Sequence, residues 1–595
     1  MKSARRNLAS VVAPVAPWTL AALLLGACGG PTADQATATG EAIEAAAAGP
    51  SIGEPGGRLV VALRAEPRTL NPVLPLQNPA ITVVRRLTAD LLHINRATQE
   101  VEAGLAESWQ VSDDGRVYRL QLRRDVRFSD GEPFDADDVL FSFEVYLDEE
   151  IGYPGRALLV VDGEPIVVRK IDAYSVEFEL KSPYAAGERL FDSVAMLPRH
   201  LMEEAYRAGR LAELWSLSTP PEQIAGLGPF RFKSWQAGQR LTLERNPHYW
   251  RRDAAGNPLP YLDELVFLFV PSEDAQVIRF QEGETDLISR LSAENFAALE
   301  GLERQDLDLR DLGPDLTLTF LFFNLNDLAG RGLPEVGARQ SWFRMPEFRR
   351  AVSAAIDRQG IVELVYEGRG EALSGHVSSG YRRWRNADLP PPVRSVEDAR
   401  RLLSESGFAW REDGRLLDPE GREVSFTLMT NASNAQRSEI LTIVQADLAE
   451  IGIDLKTVTL DFQAMVDRIF NSFDYDACVL GFGGGDADPN PMMSLLLSSG
   501  NAHFWRLGGG EPASEWESEI DLLMQRQLVE MDPAERKRLY DRVQALVAEN
   551  LPVIPLASPH ILVGANAAVG NFNPAILHHQ TLWNAEELYL DPANR

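Results

Sequence analysis

Cysteine and positive charge are both scarce in this sequence of 595 residues. Its two cysteines, Cys28 and Cys478, cannot form a disulfide framework or a zinc site with four protein ligands. The chain carries 58 basic and 87 acidic residues, a net charge of -29, so it would repel nucleic acid and anionic lipid. The acidic balance favours cationic ligands or simply serves solubility. We therefore expect no nucleic-acid partner.

Common catalytic signatures are also scarce. The sequence contains no His-Glu-x-x-His helix and no phosphate loop that ends in Gly-Lys-Ser or Gly-Lys-Thr. The run 481–486 nearly fits a dinucleotide fingerprint, but Asp486 stands where the last glycine belongs. His578 and His579 are adjacent, and neighbours on a strand point apart, so we do not expect them to share one metal ion. These features favour a binding protein over an enzyme, with no cofactor and no metal.

Residues 1–28 have the features of an export signal. A basic start precedes an apolar run that is too short for a membrane span. The run ends in Leu-Gly-Ala-Cys at residues 25–28, which resembles the bacterial lipobox, a cleavage site before a lipidated cysteine. That resemblance implies lipidation of Cys28 and a lipid tether outside the cytoplasmic membrane, in the periplasm or at the cell surface. An ordinary secretory signal with an incidental cysteine is the alternative.

The segment after the export signal, residues 29–55, is rich in glycine, alanine, threonine, proline and glutamate. It holds almost no large apolar side chains, so it cannot build a core. We expect a flexible tether there rather than a domain.

Strand and helix patterns alternate along the second half of the chain. Residues 318–326 form the continuous apolar run typical of a buried strand, and residues 346–368 have helical spacing with a break expected at Gly360. Further segments follow the same alternation: helix 397–407 ending at Gly407, strand 425–430, helix 438–452, strand 453–460 and helix 528–550. This alternation indicates an α/β lobe.

Residues 226–250 predict a hairpin of two half-buried strands. Gly-Leu-Gly-Pro at residues 226–229 is typical of a turn, Gly238 lies between the strands, and Asn246-Pro247 ends the second strand. Its first strand carries aromatic and basic residues, and Arg-Asn-Pro-x-Tyr-Trp follows at 245–250. Together these features of residues 226–250 resemble the hallmark segment of extracytoplasmic solute-binding proteins of family 5. These are the peptide, dipeptide and nickel-binding proteins of ABC importers.

Two further stretches resemble the same family. One is residues 105–139, in which Asp135 is expected to cap a helix. The other combines residues 320–326 with residues 348–358. The resemblance extends over most of the chain, from about residue 56 to residue 590.

This resemblance implies an α/β protein with the two-lobed periplasmic-binding-protein fold (class II, cluster C type) and an extra inserted subdomain. It implies a monomer that closes over its ligand by hinge motion and presents it to ABC permease subunits. The expected division of the chain is signal 1–28, tether 29–55, lobe I 56–79, 215–271 and 555–595, inserted subdomain 80–214, and lobe II 272–554.

We expect ligand-binding residues in three loops. The resemblance implies Thr69, Asn71 and Pro72 in the first loop and Phe482, Asp486 and Asp488 in the third. The second loop, with Tyr381, Arg383 and Trp384, is a candidate because it is rich in aromatic residues and arginine, and a packed lid is the alternative. In peptide-binding members an aspartate in the third loop takes the α-amine of the peptide. Here Gly485 stands at that position, with Asp486 beside it.

Because Gly485 departs from the pattern of the peptide-binding members, the sequence does not decide the identity of the ligand. We expect a peptide or peptide-like solute. The alternatives are a non-peptide solute (nickel chelate, haem or sugar), a sensor or chaperone on the same fold, and, less favoured because no triad is evident, a secreted hydrolase.

Overall fold

The long strand Val553–Asn566 runs through the centre of the structure, a computed structural model that describes residues 50–192, 194–483 and 485–591. It belongs to a large mixed sheet. Ten strands of this sheet follow one another in the spatial order Phe230–Gln236, Arg240–Arg245, Glu264–Phe269, Arg58–Leu63, Leu287–Ser289, Val553–Asn566, Thr317–Phe323, Ala477–Gly483, Ser425–Asn431 and Asp454–Leu460. Leu307–Pro314 and Gly370–Ala372 also pair with Val553–Asn566.

The two halves of Val553–Asn566 have different partners. Its first half pairs with Thr317–Phe323, and its second half pairs with Leu287–Ser289 and Leu307–Pro314. The sheet therefore has two wings joined at this strand, which is the expected crossing between the two lobes.

A separate four-stranded antiparallel sheet lies within the expected inserted subdomain. Its strands are Ala106–Val111, Val117–Leu122, Ser175–Glu179 and Val167–Asp172 in spatial order. The helix Ala136–Leu147 packs against it. Asp135 caps this helix as expected, since its side chain accepts a bond from the Asp137 N–H and the Asp138 side chain bonds back to the Asp135 N–H.

The other strands form four two-stranded ribbons. These are Leu92–Ile94 with Val101–Ala103, Val160–Val161 with Glu164–Pro165, Ala409–Trp410 with Leu416–Leu417, and Val569–Gly570 with Tyr589–Leu590. The remaining α-helices are Asn78–Leu87, Arg199–Arg207, Glu273–Gln281, Ala293–Glu300, Pro334–Phe343, Pro346–Ala355, Arg358–Val365, Val396–Glu405, Ala435–Glu450, Phe462–Asp467, Met493–Leu496, Glu515–Val529 and Pro533–Asn550. None of the helices in the described ranges is long and apolar enough to cross a bilayer.

The strand Thr317–Phe323 is buried on both faces, as its continuous apolar run predicts. Leu318, Phe320 and Phe322 belong to one hydrophobic core, whereas Leu321 and Phe323 belong to another. Alternate side chains of a strand point to opposite faces, so this one strand contributes to both cores.

The predicted hairpin is confirmed. Phe230–Gln236 pairs antiparallel with Arg240–Arg245, and Gly238 in the turn has a φ of 66°. Cys478 is fully buried, and burial raises the pKa of its thiol. Gly407 ends its helix in the left-handed conformation, with a φ of 87°.

Two segments that were each predicted as one helix have different helix limits in the structure. The segment 346–368 forms the helices Pro346–Ala355 and Arg358–Val365, so the break lies at Ile356 and Asp357 instead of Gly360. The reason is a cap, since Asp357 Oδ1 accepts a bond from the Gly360 N–H at 2.8 Å. The predicted helix 528–550 begins at Pro533, after the preceding helix Glu515–Val529 has ended.

The predicted export signal, residues 1–28, and most of the predicted tether lie outside the described residues. The limits of the two lobes and of the inserted subdomain stay predictions. We use them below as names for these parts of the chain.

Close packing explains the first glycine of the hairpin segment. A Cβ atom on Gly226 would lie 1.8 Å from the carbonyl oxygen of Leu87, at the end of the helix Asn78–Leu87. A methyl group does not fit unless the backbone moves.

We expect Gly226→Ala to lower the free energy of unfolding by about 1–3 kcal/mol or more, because the helix end must shift to make room. Gly238→Asn is the matched control, since asparagine tolerates a positive φ and nothing lies within 4 Å of the added Cβ. Urea denaturation of both variants measures the difference. Equal stabilities would contradict this packing argument.

Candidate functional site

A cavity of about 420 Å³ lies between the inserted subdomain and lobe II; we call it the interface cavity. The subdomain lines it with residues from 98–118 and 185–189. Lobe II lines it with residues from 382–384, 487–488 and 530–536. Its size falls within the range of about 300–1,000 Å³ that is typical of small-molecule sites.

An ion pair joins the two sides beside the interface cavity. Asp486 accepts a bond from Arg189 Nε at 2.5 Å and a second bond from Nη2 of the same guanidinium. Arg189 also donates to the Gln99 carbonyl oxygen at 3.1 Å. Burial lowers the pKa of Arg189, but the hydrogen bond and charge of Asp486 outweigh it, so the pKa is raised. The carboxylate of Asp486 is therefore neutralised by a residue of the opposite side.

A second ion pair forms the lobe II wall. Both oxygens of Asp488 accept bonds of 2.8 Å from Arg536, and both side chains are buried. The Arg536 guanidinium also lies 4.7 Å from the centre of the Trp384 ring. Because a buried charge needs its partner, this pair is a rigid structural unit, and removing one member would leave the other uncompensated.

Hydrogen bonds also join the inserted subdomain to lobe II. Gln99 Nε2 donates to the Gly380 carbonyl oxygen at 3.0 Å, and Asn490 Nδ2 donates to the Tyr184 hydroxyl at 2.9 Å. The Ala185 N–H donates to the Leu528 carbonyl oxygen at 2.7 Å. The structure thus has the inserted subdomain and lobe II in direct contact around the interface cavity.

The interface cavity brings together four of the nine predicted ligand-binding residues. Arg383, Trp384 and Asp488 line it, and Asp486 pairs with its lining residue Arg189. Arg383 is exposed, with its guanidinium 5.3 Å from the centre of the Trp384 ring. Two separate loops of lobe II therefore meet at one place, and their role in ligand binding stays a prediction.

The first predicted loop does not line the interface cavity. Asn71 is fully buried; its amide donates to the Leu211 and Leu214 carbonyl oxygens, and its side-chain oxygen accepts from the Val73 N–H. Thr69 is half-buried beside Trp215, and Pro72 is buried. In this conformation these residues hold the loop together, and their role in ligand binding stays a prediction.

Phe482 and Tyr381 also lie outside the lining. Phe482 is half-buried, and its ring packs edge-on against Phe504 at 6.2 Å. Tyr381 is fully buried. The role of both rings in ligand binding stays a prediction.

Sequence reasoning missed the residues that the inserted subdomain supplies. Tyr118, Glu188 and Arg189 all line the interface cavity, and Arg536 lines it from the lobe II side. No motif marks them, and Arg189 lies 297 positions from its partner Asp486. The spacing of an ion pair formed across a fold carries no signal in one sequence.

One group of described residues has the spacing of metal ligands. His93 Nδ1 lies 3.7 Å from an Asp90 oxygen and 3.6 Å from an Asp192 oxygen. Arg96 Nη2 lies 2.9 Å from both Asp192 oxygens, and this cation would repel a metal ion. We therefore assign no metal to this group.

Two sequence features that bear on catalysis also have a structural explanation. A Gly-x-Ser-x-Gly string occurs at residues 49–53, but Ser51 lies in irregular chain before the first strand rather than at a strand-to-helix turn, so it is not a nucleophile elbow. His578 and His579 lie in a turn, not on a strand, with ring centres 5.1 Å apart.

Comparison with known proteins agrees with the two-lobed α/β architecture. The family model for bacterial extracellular solute-binding proteins, family 5 (middle region), matches residues 100–504. A probable ABC transporter-binding protein of Deinococcus radiodurans is 26% identical over 549 residues, which cover 88% of this chain and 91% of the relative. The oligopeptide-binding protein AppA of Bacillus subtilis is 26% identical over 582 residues, 96% of each chain.

A solved structure of AppA from Bacillus subtilis, in complex with a nonapeptide, has the same fold. Its TM-score is 0.66 at 25% sequence identity, and the match covers 91% of this chain and all of AppA. The fold is thus that of the two-lobed extracytoplasmic binding proteins. The chain belongs to family 5 of the bacterial extracellular solute-binding proteins, a family of binding proteins rather than enzymes.

A buried histidine supports the loop that carries Trp384. His376 is 1% exposed, and its Nε2 lies 3.3 Å from the hydroxyl of Tyr540, in the helix Pro533–Asn550. Burial lowers the pKa of His376 to about 3. The folded protein therefore keeps this ring neutral at pH values where the unfolded chain binds a proton.

We expect His376→Gln to reduce the loss of stability between pH 7 and pH 5 by about 2 kcal/mol, since the unfolded histidine titrates near pH 6.5. The sign follows from the depressed folded-state pKa, because stability falls as the pH drops below 6.5. Urea denaturation at both pH values measures the effect. His248→Gln at an exposed position is the control, and identical pH dependence in the two variants would contradict the assignment.

Proposed function

We propose that this protein captures a peptide or peptide-like solute between its two lobes and delivers it to the permease of an ABC transporter. The interface cavity supports this proposal most directly. Lobe II forms one side of it, and the other side is the inserted subdomain, which is bonded to lobe I because the Gly228 N–H donates to the Leu87 carbonyl oxygen. The cavity wall combines aromatic rings with charged groups of both signs. Such a site suits a zwitterionic solute, which needs an apolar surface and both kinds of charge partner.

The relatives support a peptide over other solutes. AppA is named for oligopeptide binding, and its solved structure holds a nonapeptide. Asp486 and Arg189 are the groups that we assign to the termini of a short peptide, because the two side chains are in contact and only a short peptide can bring both of its termini to them. When a ligand ammonium replaces the guanidinium at Asp486, Arg189 becomes free to pair with a carboxylate.

The cellular setting of the proposal rests on the start of the chain. We assign lipidation to Cys28, residues 29–55 to the tether, and the monomer to the working form. The lipid would hold the protein outside the cytoplasmic membrane, where it meets its solute. Hinge motion about the strand Val553–Asn566, in which the expected limit between lobe II and lobe I falls, would open the cavity.

Native mass spectrometry tests the proposal on protein that begins after Cys28. We expect the native mass to exceed the denatured mass by a ligand that fragments as a peptide. If no ligand is retained, a thermal-shift screen of di- to nonapeptides follows, in which a true ligand at a hundred times its Kd adds about 2.7 kcal/mol of stability. A retained non-peptide solute, or a screen without any stabilising peptide, would overturn the peptide assignment.

The ion pair at the cavity gives a sharper test of ligand orientation. We expect Asp486→Asn to weaken binding of a free-amine peptide by roughly tenfold or more, since a charge-assisted hydrogen bond contributes about 1.5–3 kcal/mol. Binding of the N-acetylated peptide should hardly change. Arg189→Gln should strengthen binding of a peptide with a free amine and an amidated C-terminus, because it removes the competing guanidinium and this ligand has no carboxylate to lose.

Calorimetric titration measures all three affinities, with Asp172→Asn as the control. Asp172 is an exposed carboxylate that bonds the Tyr174 N–H and the Ser175 hydroxyl of the inserted subdomain, away from the cavity. Equal losses for the free and acetylated peptides would show that Asp486 does not receive the amine.

A further inference from the structure

A second cavity, of about 100 Å³, lies apart from the interface cavity and shares no lining residue with it. The helix Asn78–Leu87, the segment 249–251 and the C-terminal segment 578–586 enclose it. We call it the arginine cavity, because Arg85, Arg86, Arg96 and Arg251 all line it. One water molecule needs about 10–15 Å³ of such space, so this cavity has room for a small polyatomic ligand.

Two buried hydrogen-bond donors of the arginine cavity lack acceptors among the residues that the structure describes. They are Arg86 Nε and Trp250 Nε1. Arg86 is only 4% exposed, and one of its terminal nitrogens donates to the Leu582 carbonyl oxygen at 2.5 Å. An unsatisfied buried donor costs about 1–3 kcal/mol, and more when it is charged. A ligand that accepts hydrogen bonds would remove this cost.

Arg86 has no carboxylate in contact with it in the described part of the chain. No described carboxylate lies within 4.0 Å of its guanidinium, and the charge of Glu586 acts on it from a longer distance. Burial, followed by the neighbouring charge of Arg85, lowers the pKa of Arg86 to about 9. The lining of the cavity holds four arginines against three carboxylates, so it has an excess of positive charge.

The acids that line the arginine cavity all contact described polar or charged side chains. Glu586 pairs with Arg251 and lies 3.5 Å from the Tyr249 hydroxyl. Glu102 accepts a bond from Asn95 Nδ2 at 3.2 Å, and an Asp90 oxygen lies 3.7 Å from His93. The unsatisfied groups are thus donors, which points to an anion rather than a cation.

We propose that the arginine cavity binds a small oxyanion, of the size of acetate or phosphate, through the Arg86 guanidinium and the Trp250 indole N–H. Arginine matches the planar geometry of oxyanions, and a desolvated site strengthens these bonds. The anion would link the helix Asn78–Leu87 to the Trp250 segment and to the C-terminal segment. This second site is independent of the solute in the interface cavity.

Titration with sodium acetate and with sodium phosphate, in a buffer free of other small anions, tests the proposal. We expect calorimetric heats with a Kd of about 1 mM or tighter, equivalent to about -4.1 kcal/mol. In ¹⁵N spectra, the indole resonance of Trp250, assigned by its absence in Trp250→Phe, should shift on addition of the anion. Binding of either anion supports the site, and the more tightly bound one identifies the chemistry.

Two variants keep the test independent of folding. Arg86→Gln should abolish binding, and Trp250→Phe, which keeps the ring, should weaken it several-fold. Trp410→Phe is the control, because that indole already donates to the Ile451 carbonyl oxygen at 2.9 Å in a different region. If neither anion produces heat or shifts the Trp250 resonance in the wild-type protein, or if Trp250→Phe binds as tightly as Trp410→Phe, the proposal is wrong.

Discussion

Backbone pairing along the strand Val553–Asn566 is the constraint on which the arrangement of both lobes depends. Its first half pairs with Thr317–Phe323 and its second half with Leu287–Ser289 and Leu307–Pro314. Buried backbone groups must find partners, so a shift of register would misplace side chains in both wings of the sheet at once. The segment at Asp315, which joins Leu307–Pro314 to Thr317–Phe323, is tied to the same strand, because the Asp315 carbonyl oxygen accepts bonds from the Ser558 and Ser378 hydroxyls. These bonds hold the two wings of the sheet together.

The two ion pairs at the interface cavity differ in their role. Asp488 and Arg536 are both in lobe II and buried, so their pair builds the wall and supports Trp384. Arg189 lies in the inserted subdomain and Asp486 in lobe II, and both are more exposed, so their ion pair forms only when the subdomain and lobe II are in contact. A ligand that binds Asp486 replaces one partner without leaving a charge unpaired. Capture and closure can therefore depend on the same carboxylate.

Local sequence patterns predicted much of the fold correctly. The hairpin after Gly226, the cap at Asp135 and the doubly buried strand Thr317–Phe323 each depend on short-range chemistry. The helix break at Asp357 was predicted at Gly360 instead, because glycine often ends a helix. In the structure the Gly360 N–H donates to the Asp357 carboxylate, which caps the second helix. Of the site, the loops with Trp384 and Asp488 were predicted, but the lining residues of the inserted subdomain were not.

The sequence by itself determined the family, through the resemblance of its motifs, and the alternation of strands and helices. The alternation follows from the order of neighbouring residues, since turns, caps and apolar periodicity act over a few positions. Only the tertiary structure decided that Arg189 faces Asp486, that Asn71 bonds within its own loop, and that Arg86 and Trp250 meet at one cavity. These are contacts between segments up to hundreds of residues apart, and only packing of the whole chain brings such side chains within a few ångströms.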